Sequence, residues 1–391
     1  MSHVRLRHVQ KQFLKKLKHS PVIALQGPRQ CGKSFLVREL LSKKLAGAAY
    51  ETFDNQTHRR FATENPDTFL EQRLDHEPLI IDEAQKAPAI FDAVKLQVDQ
   101  DRRPGRYILL GSTEFSKLSL IRESLTGRMT RIRLYPMNLG EVKGLPAEGP
   151  IPNVFHNKPR VTRREFLKYL ERGGMPGIFG VHTATERESF IEDWVDLCVQ
   201  RDIHTFPKLK LDSDSALEIL HLIAKLPEPT AGAIARATRM DARRVQTYLK
   251  VFLALFVIVK LNPHPLGAGK PKFFLCDVAV AKWLGADFHR QLATALILEQ
   301  MSQWSYGGAK KVIFYHYQTS RGSIVDLIVA PFDAPMQAIK VFDQEKIDKR
   351  NLLVLEALGK RGKNMKLLGV GPEYFRFKDL GIEIHPWESM A

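Results

Sequence analysis

The chain has 391 residues, 44% hydrophobic and 26% charged, with 59 Lys and Arg against 43 Asp and Glu, a formal net charge of +16. That length holds two or three domains with a core in each. No apolar run reaches the roughly 18 residues of a membrane helix, the longest being residues 252–259, and the basic N-terminus spaces its apolar residues among lysines, unlike a signal peptide. Cys31, Cys198 and Cys276 are far apart and lack metal-ligand spacing, the pattern of reduced thiols in a cytoplasm rather than of a disulfide framework. The positive charge gathers at residues 11–18, 102–103, 160–164, 236–244 and 360–366. It favours a polyanionic partner, most simply nucleic acid, with general solubility as the plain alternative.

The first element is the apolar run Val22-Ile23-Ala24-Leu25, a strand. It leads into Gly27-Pro28-Arg29-Gln30-Cys31-Gly32-Lys33-Ser34, which fits the phosphate-binding pattern G-x-x-x-x-G-K-[ST], and a helical stretch begins at Phe35. Strand, Gly-rich loop and helix N-terminus together aim backbone N–H groups at phosphate oxygens. Lys33 is expected on the β- and γ-phosphates and the Ser34 hydroxyl on Mg²⁺. A thiol beside a helix N-terminus tends to be activated, so Cys31 is expected to react with alkylating reagents and to be protected by ATP–Mg²⁺.

Residues 50–54 read as a second strand. Pro78-Leu79-Ile80-Ile81-Asp82-Glu83 is an apolar strand ending in two carboxylates. At this distance from the loop, Asp82 is expected to hold Mg²⁺ and Glu83 to polarise the attacking water. A helix over 89–100 follows. The strand 106–110 runs into Gly111-Ser112-Thr113, where a small hydroxyl such as Ser112 can sense the γ-phosphate from between the other two strands. Residues 130–136 close the set as an alternating strand ended by proline. Short strands separated by helices predict a largely parallel α/β sheet with the loop at its C-terminal edge.

Residues 140–159, rich in Gly, Pro and Asn, read as a linker. Thr162 and Glu165 form a capping box for a helix to Leu170, Gly173-Gly174-Met175-Pro176-Gly177 breaks it, and a longer helix spans 185–201. Helices over 215–226, 230–237 and 241–259 then give a helix-turn-helix or winged pattern with Arg243, Arg244 and Gln246 near the start of the third helix, where base- or phosphate-contacting residues sit. The same pattern serves equally for a lid that packs on protein. The C-terminal stretch returns to strands at 272–276, 311–317, 323–329 and 337–342, with helices at 278–284 and 292–304.

As a whole the sequence resembles the bacterial and archaeal AAA-type P-loop ATPases that carry a C-terminal domain of unknown function related to the PD-(D/E)xK nuclease fold. The phosphate loop and Ile80-Ile81-Asp82-Glu83-Ala84-Gln85-Lys86-Ala87-Pro88 are the most specific matches. Leu110-Gly111-Ser112, Leu125-Thr126-Gly127-Arg128, Gly173-Gly174-Met175-Pro176 and Arg201-Asp202-Ile203 follow in the family order. The resemblance implies an ATPase domain over 1–145, a helical lid over 160–208, a winged-helix-like unit over 213–265 and a nuclease-like α/β domain over 270–391. Arg128 resembles the arginine proposed to stabilise γ-phosphate charge, in trans or in cis; in trans it implies a homo-oligomer. The alternative is a surface arginine at a helix C-terminus. A nuclease of this type needs an acid on one strand and an acid-x-Lys triplet on the next. Asp326 fits the first place and Glu299 a supporting one, but the triplet reads Ala338-Ile339-Lys340, so the nuclease-like domain is expected to be degenerate and inactive unless an acid such as Glu345 moves in. The chain is therefore expected to be a cytoplasmic, Mg²⁺-dependent ATP hydrolase that couples nucleotide state to conformational change on nucleic acid. The alternative is a slow nucleotide-dependent switch with a protein partner.

Overall fold

The structure is a computed structural model and describes residues 4–73, 77–118, 127–147, 149, 152, 155–156, 158–308, 311–345, 347–362 and 364–390. Two compact units account for them. One comprises Leu6–Tyr135 with Ala254–Phe256, the other the remaining described chain. No helix of the described residues is long and apolar enough to cross a membrane.

The first unit is a five-stranded sheet of β1 (Val22–Gln26), β2 (Ala49–Thr52), β3 (Leu79–Asp82), β4 (Tyr107–Gly111) and β5 (Met129–Arg133). All neighbours pair in parallel, in the order β2-β3-β4-β1-β5. β1, β3 and β4 are buried along their whole length. This is why they read as unbroken apolar runs rather than as alternating ones, as parallel strands covered on both faces do. Packed on the sheet, Phe53, Phe69, Phe91, Val94 and Phe115 join Ile81 and Leu109 in one core. The Phe91 and Phe115 rings meet edge-to-face at 4.9 Å. The helix at Ala89–Gln100 turns its apolar positions, Ile90, Phe91, Ala93, Val94 and Val98, inward. The expected strands over 50–54 and 130–136 are shorter and start one residue earlier, at Ala49 and Met129.

In the second unit, residues 140–143 of the expected linker belong to a helix, Leu139–Lys143. Asn138 and Glu141 cap each other's backbone, Leu139 and Val142 are buried, and Gly144 ends the helix at φ 69°. This capping box was legible but masked by the surrounding Gly and Pro. The Thr162–Glu165 box does open a helix, Arg163–Arg172. Gly173 stops it at φ +70°, where a Cβ would meet Asp277 Oδ1 at 2.2 Å. The next helix, Ala184–Asp196, widens into a π-helical turn over Leu197–Asp202.

Helices Ser213–Lys225, Ala231–Thr238 and Ala242–Ala254 follow. The expected helix over 241–259 ends at Ala254 because Phe256 takes a left-handed φ of 60° and the β-branched Val257-Ile258-Val259 turn into a strand. That strand, β6 (Ile258–Pro263), pairs antiparallel with β7 (Lys272–Leu275), and a bridge joins Lys272 to Thr230 ahead of the second helix. Three helices, a single β-bridge at Thr230 and a hairpin thus follow one another in the order that the sequence led us to expect. β6 also runs parallel to β8 (Val312–Gln318), through Asn262 opposite Tyr315. The hairpin is thereby one end of an eight-stranded mixed sheet with β9 (Ile324–Pro331), β10 (Met336–Val341), β11 (Met365–Gly371), β12 (Phe375–Phe377) and β13 (Ile382–Pro386), in the order β12-β13-β11-β10-β9-β8-β6-β7.

Glu299 does not support Asp326. It is buried in the helix Phe288–Gly307, where Oε2 accepts the Leu139 N–H (2.8 Å) and Oε1 accepts from Gln303 Nε2 (2.8 Å). Burial pushes its carboxyl up to about 8. The folded protein therefore holds a proton here that the unfolded chain releases near 4.5, so this group's contribution to stability is full below that pH and drains away as pH rises toward 8. Glu299→Gln keeps the acceptor for Leu139 and removes the titration. Denaturant unfolding at pH 5 and pH 8 is expected to show the variant gaining stability relative to wild type at the higher pH; an equal difference at both would contradict the assignment.

Candidate functional site

β1 delivers the loop 27–34 at the C-terminal edge of the sheet. Its first residue must lack a side chain, because a Cβ on Gly27 would lie 2.1 Å from the Leu134 carbonyl oxygen. Leu134 is held there by its N–H, which donates to the Gln26 carbonyl at 2.7 Å. Gln30 (φ 59°) and Gly32 (φ 94°) are left-handed, which curls the loop before the helix starts at Lys33. Pro28 is buried, Arg29 and Ser34 are half-buried and Gln30 is exposed. The Lys33 ammonium folds back to donate to the carbonyls of Gly27 (3.0 Å) and Pro28 (2.8 Å). From below, Arg7 donates to the carbonyls of Cys31 (2.8 Å) and Tyr135 (2.6 Å).

Ser34 and Asp82, 48 residues apart, meet at this loop: the Ser34 hydroxyl donates to Asp82 Oδ2 at 2.5 Å. Tyr50 donates its phenol to the same oxygen, and Oδ1 accepts the Glu83 N–H at 2.9 Å. Burial, reinforced by Asp82, raises the Tyr50 phenol well above its ordinary range, so it remains a donor. Glu83 sits in a left-handed conformation (φ 54°), uncommon for a residue with a Cβ. Its Oε2 accepts from Gln85 Nε2 (2.5 Å) and from the Ser112 hydroxyl (3.0 Å), which in turn accepts from Gln85 at 3.1 Å. β4 lies between β1 and β3, and Ser112 directly follows it.

One expectation, the reactive Cys31, needs correction. Cys31 is wholly buried, as are Cys198 and Cys276. Its side chain turns beneath the loop toward Gly27, so the helix end cannot present it to a reagent. Native protein is expected to give less than about one thiol per chain with Ellman's reagent within minutes, and all three only in guanidinium. Prompt native labelling of Cys31 would contradict its burial. Arg128 does not join the Asp82–Glu83 network; it grips Asp99 with two parallel bonds, Nε to Oδ1 (2.6 Å) and Nη2 to Oδ2 (2.9 Å). Leu125 and Thr126 of its motif lie outside the described residues.

Tyr50, Gln85 and Arg7 were not singled out from the sequence. Gln85 lies two residues after Glu83 in the quoted run, and Tyr50 becomes relevant once β2 is known to flank β3, with Thr52 opposite Asp82. Arg7 carries no sequence signal, since its partners are 24 and 128 residues away.

In the three-helix segment 213–254, Arg243, Gln246 and Lys250 are exposed along the third helix, and Arg239 is exposed just ahead of it. Arg244 is engaged by Asp212 (Nη2 to Oδ2, 2.8 Å). Burial favours the neutral form of Asp212, but hydrogen bonds from Ser215, Tyr248 and Arg244 prevail and bring its carboxyl down to about 2. Arg244 thus holds the first helix to the third, and the exposed basic residues of this face are Arg239, Arg243 and Lys250.

Residues 19–143 match the AAA domain family, and residues 163–291 match a domain of unknown function, DUF8612. Sheet order, loop and family match agree on an AAA-type P-loop ATPase domain in the first region. The uncharacterized proteins Rv2008c of Mycobacterium tuberculosis and Mb2031c of Mycobacterium bovis are each 25% identical over 279 residues, 69% of this chain. The match spans 58% of the length of these curated relatives. Among solved structures, the Walker-type ATPase PABY2304 of Pyrococcus abyssi is 14% identical with a TM-score of 0.42, covering 71% of this chain and 95% of that one. A RuvB mutant of Thermotoga maritima is 16% identical with a TM-score of 0.30, covering 68% and 90%. None of these matches links the sheet β8–β13 to a nuclease.

Proposed function

We propose that the chain binds ATP on the loop Gly27–Ser34 and hydrolyses its terminal phosphoanhydride with Mg²⁺, coupling nucleotide state to a conformational change on nucleic acid. The observation that carries this reading is the meeting of Ser34, Asp82, Glu83 and Ser112 at one strand edge. Ser34 Oγ and Asp82 Oδ2 are hard oxygen donors that share one hydrogen bond, a donor set suited to Mg²⁺. When bound, that ion would neutralise charge between the β- and γ-phosphates. Lys33 would exchange the carbonyls of Gly27 and Pro28 for phosphate oxygens, while the loop N–H groups cradle them. Glu83 would accept the proton of the attacking water, held at the right angle by Ser112 and Gln85. Arg128 would leave Asp99 to meet the γ-phosphate, in its own chain or in a neighbouring copy. The basic stripe on the third helix supports a nucleic-acid partner. Ala338 at the acid position of the triplet supports a docking role, rather than cleavage, for the C-terminal sheet.

A second reading has its own support. Two donors already occupy the Glu83 carboxylate, which suits a switch that binds ATP, turns it over slowly and answers to a protein partner.

ATP hydrolysis by wild type, Lys33→Ala and Glu83→Gln, each with and without DNA and RNA, separates these readings. Both substitutions are expected to lower turnover at least about 100-fold, with Glu83→Gln still binding ATP and Lys33→Ala binding it poorly. Negligible wild-type turnover, with tight binding, would move the assignment to the switch. For the nucleic-acid arm, Arg243→Ala and Lys250→Ala should each reduce the slope of log K against log salt by about one; unchanged slopes would remove this face from the interface.

A further inference from the structure

The second unit contains a cavity of about 540 Å³ where β7, β8, β9 and β10 meet the N-terminal end of the helix Phe288–Gly307. Its volume lies within the range of small-molecule sites, roughly 300–1,000 Å³. What distinguishes it is Lys272. This residue is 3% exposed and lines the cavity, and among the described residues its ammonium reaches an acid within 4.0 Å only at Glu228. Glu228 is already engaged by the Gln318 amide at 2.6 Å. Burial lowers the lysine's affinity for its proton, and the neighbouring Arg290 and Lys340 lower it further against Glu228 and Asp326. One polar atom on the cavity wall is unmatched: His316 uses Nε2 on the Lys270 carbonyl (2.8 Å) and leaves Nδ1 buried with no hydrogen-bond partner.

The other polar groups on the wall are committed to the protein. Arg290 donates to the carbonyls of Ile223 and Phe273 and lies 3.8 Å over the Phe274 ring. Lys340 donates to the Ile324 carbonyl at 2.9 Å. Asp326 is taken up by the Val341 N–H (2.8 Å) and by His289 (3.5 Å), which also faces Asp343. Asp326 makes no hydrogen bond to Lys272 and acts on it only through its charge. Exposed Lys225 adds positive charge at the rim, while Asp287, also on the wall, caps the 20-residue helix by accepting the Arg290 N–H at 2.7 Å. An ammonium that lines the cavity with its ion-pair partner 4.0 Å away is stabilised when an anion joins it there.

We infer that this cavity is a binding site for a phosphate group carried on a nucleotide-sized molecule, with Lys272 as the principal contact. The phosphate is either that of a free nucleotide or the terminal phosphate of a polynucleotide. The site is separate from the phosphate loop and does not depend on the ATP reading.

The test uses the full chain in a Lys33→Ala background, so that the phosphate loop does not contribute. Thermal unfolding and titration calorimetry are read with inorganic phosphate, AMP, and a short oligonucleotide with and without a 5′-phosphate, at constant ionic strength. AMP or the phosphorylated oligonucleotide, whichever is the source, should raise Tm, and Lys272→Met should weaken its binding at least about tenfold, or 1.4 kcal/mol, without lowering Tm in the absence of ligand. A preference for AMP identifies a free nucleotide, and a preference for the 5′-phosphorylated strand over its unphosphorylated twin identifies a polynucleotide end. If Lys272→Met fails to fold, Lys225→Ala at the exposed rim decides, with a few-fold weaker affinity expected. Absence of phosphate-dependent stabilisation, or equal affinity in parent and variant, overturns the assignment.

Discussion

One carboxylate organises the ATPase unit. Asp82 receives Ser34 from the phosphate loop, Tyr50 from the edge strand and the backbone of Glu83 from its own chain. Three segments far apart in sequence are thereby fixed within hydrogen-bond distance of one another. A charged acceptor makes stronger bonds than a neutral one, and burial beneath the loop keeps water from competing. Were Asp82 shifted, the loop helix, β2 and the turn carrying Glu83 would each lose their common reference.

Around that point the backbone is shaped by close approach rather than by side-chain packing. Gly27 passes so near the Leu134 carbonyl that no other residue fits. Glu83 holds a left-handed conformation that a glycine would adopt more cheaply. The carboxylate at this position sits on that strained backbone, and Ser112 and Gln85 hold its side chain in a single orientation by donating to Oε2. Local rules of backbone preference yield here to the demands of a site.

The sequence made the loop, β1, β3 and β4 legible because burial on both faces leaves continuous apolar runs, and because the loop's chemistry fixes residue types at fixed spacing. The helix Ala89–Gln100 and the Thr162–Glu165 cap were readable for the same local reasons. Where contacts are distant, reading stopped. Nothing near Glu299 in sequence shows that Leu139 would occupy it, and nothing near Arg244 shows that Asp212 would. Cys31 was misread because a loop position does not reveal whether a side chain points outward or beneath the turn. The end of the third winged-helix segment was placed too late because a run of apolar residues fits a buried helix and a buried strand alike.

The pairing of β6 with both β7 and β8 has a mechanical consequence. A wing on most such units would be a two-stranded ribbon free to twist on its own, and isolated ribbons are pliable. Here the ribbon is the terminal pair of an eight-stranded sheet, so bending it means shearing the β6–β8 ladder. The hairpin is therefore a stiff lever: a displacement imposed at residues 264–271 travels into the sheet as a rotation instead of being absorbed locally. Amide protons of β12 and β7, each paired on one side only, should exchange faster than those of the interior strands β9, β10 and β11.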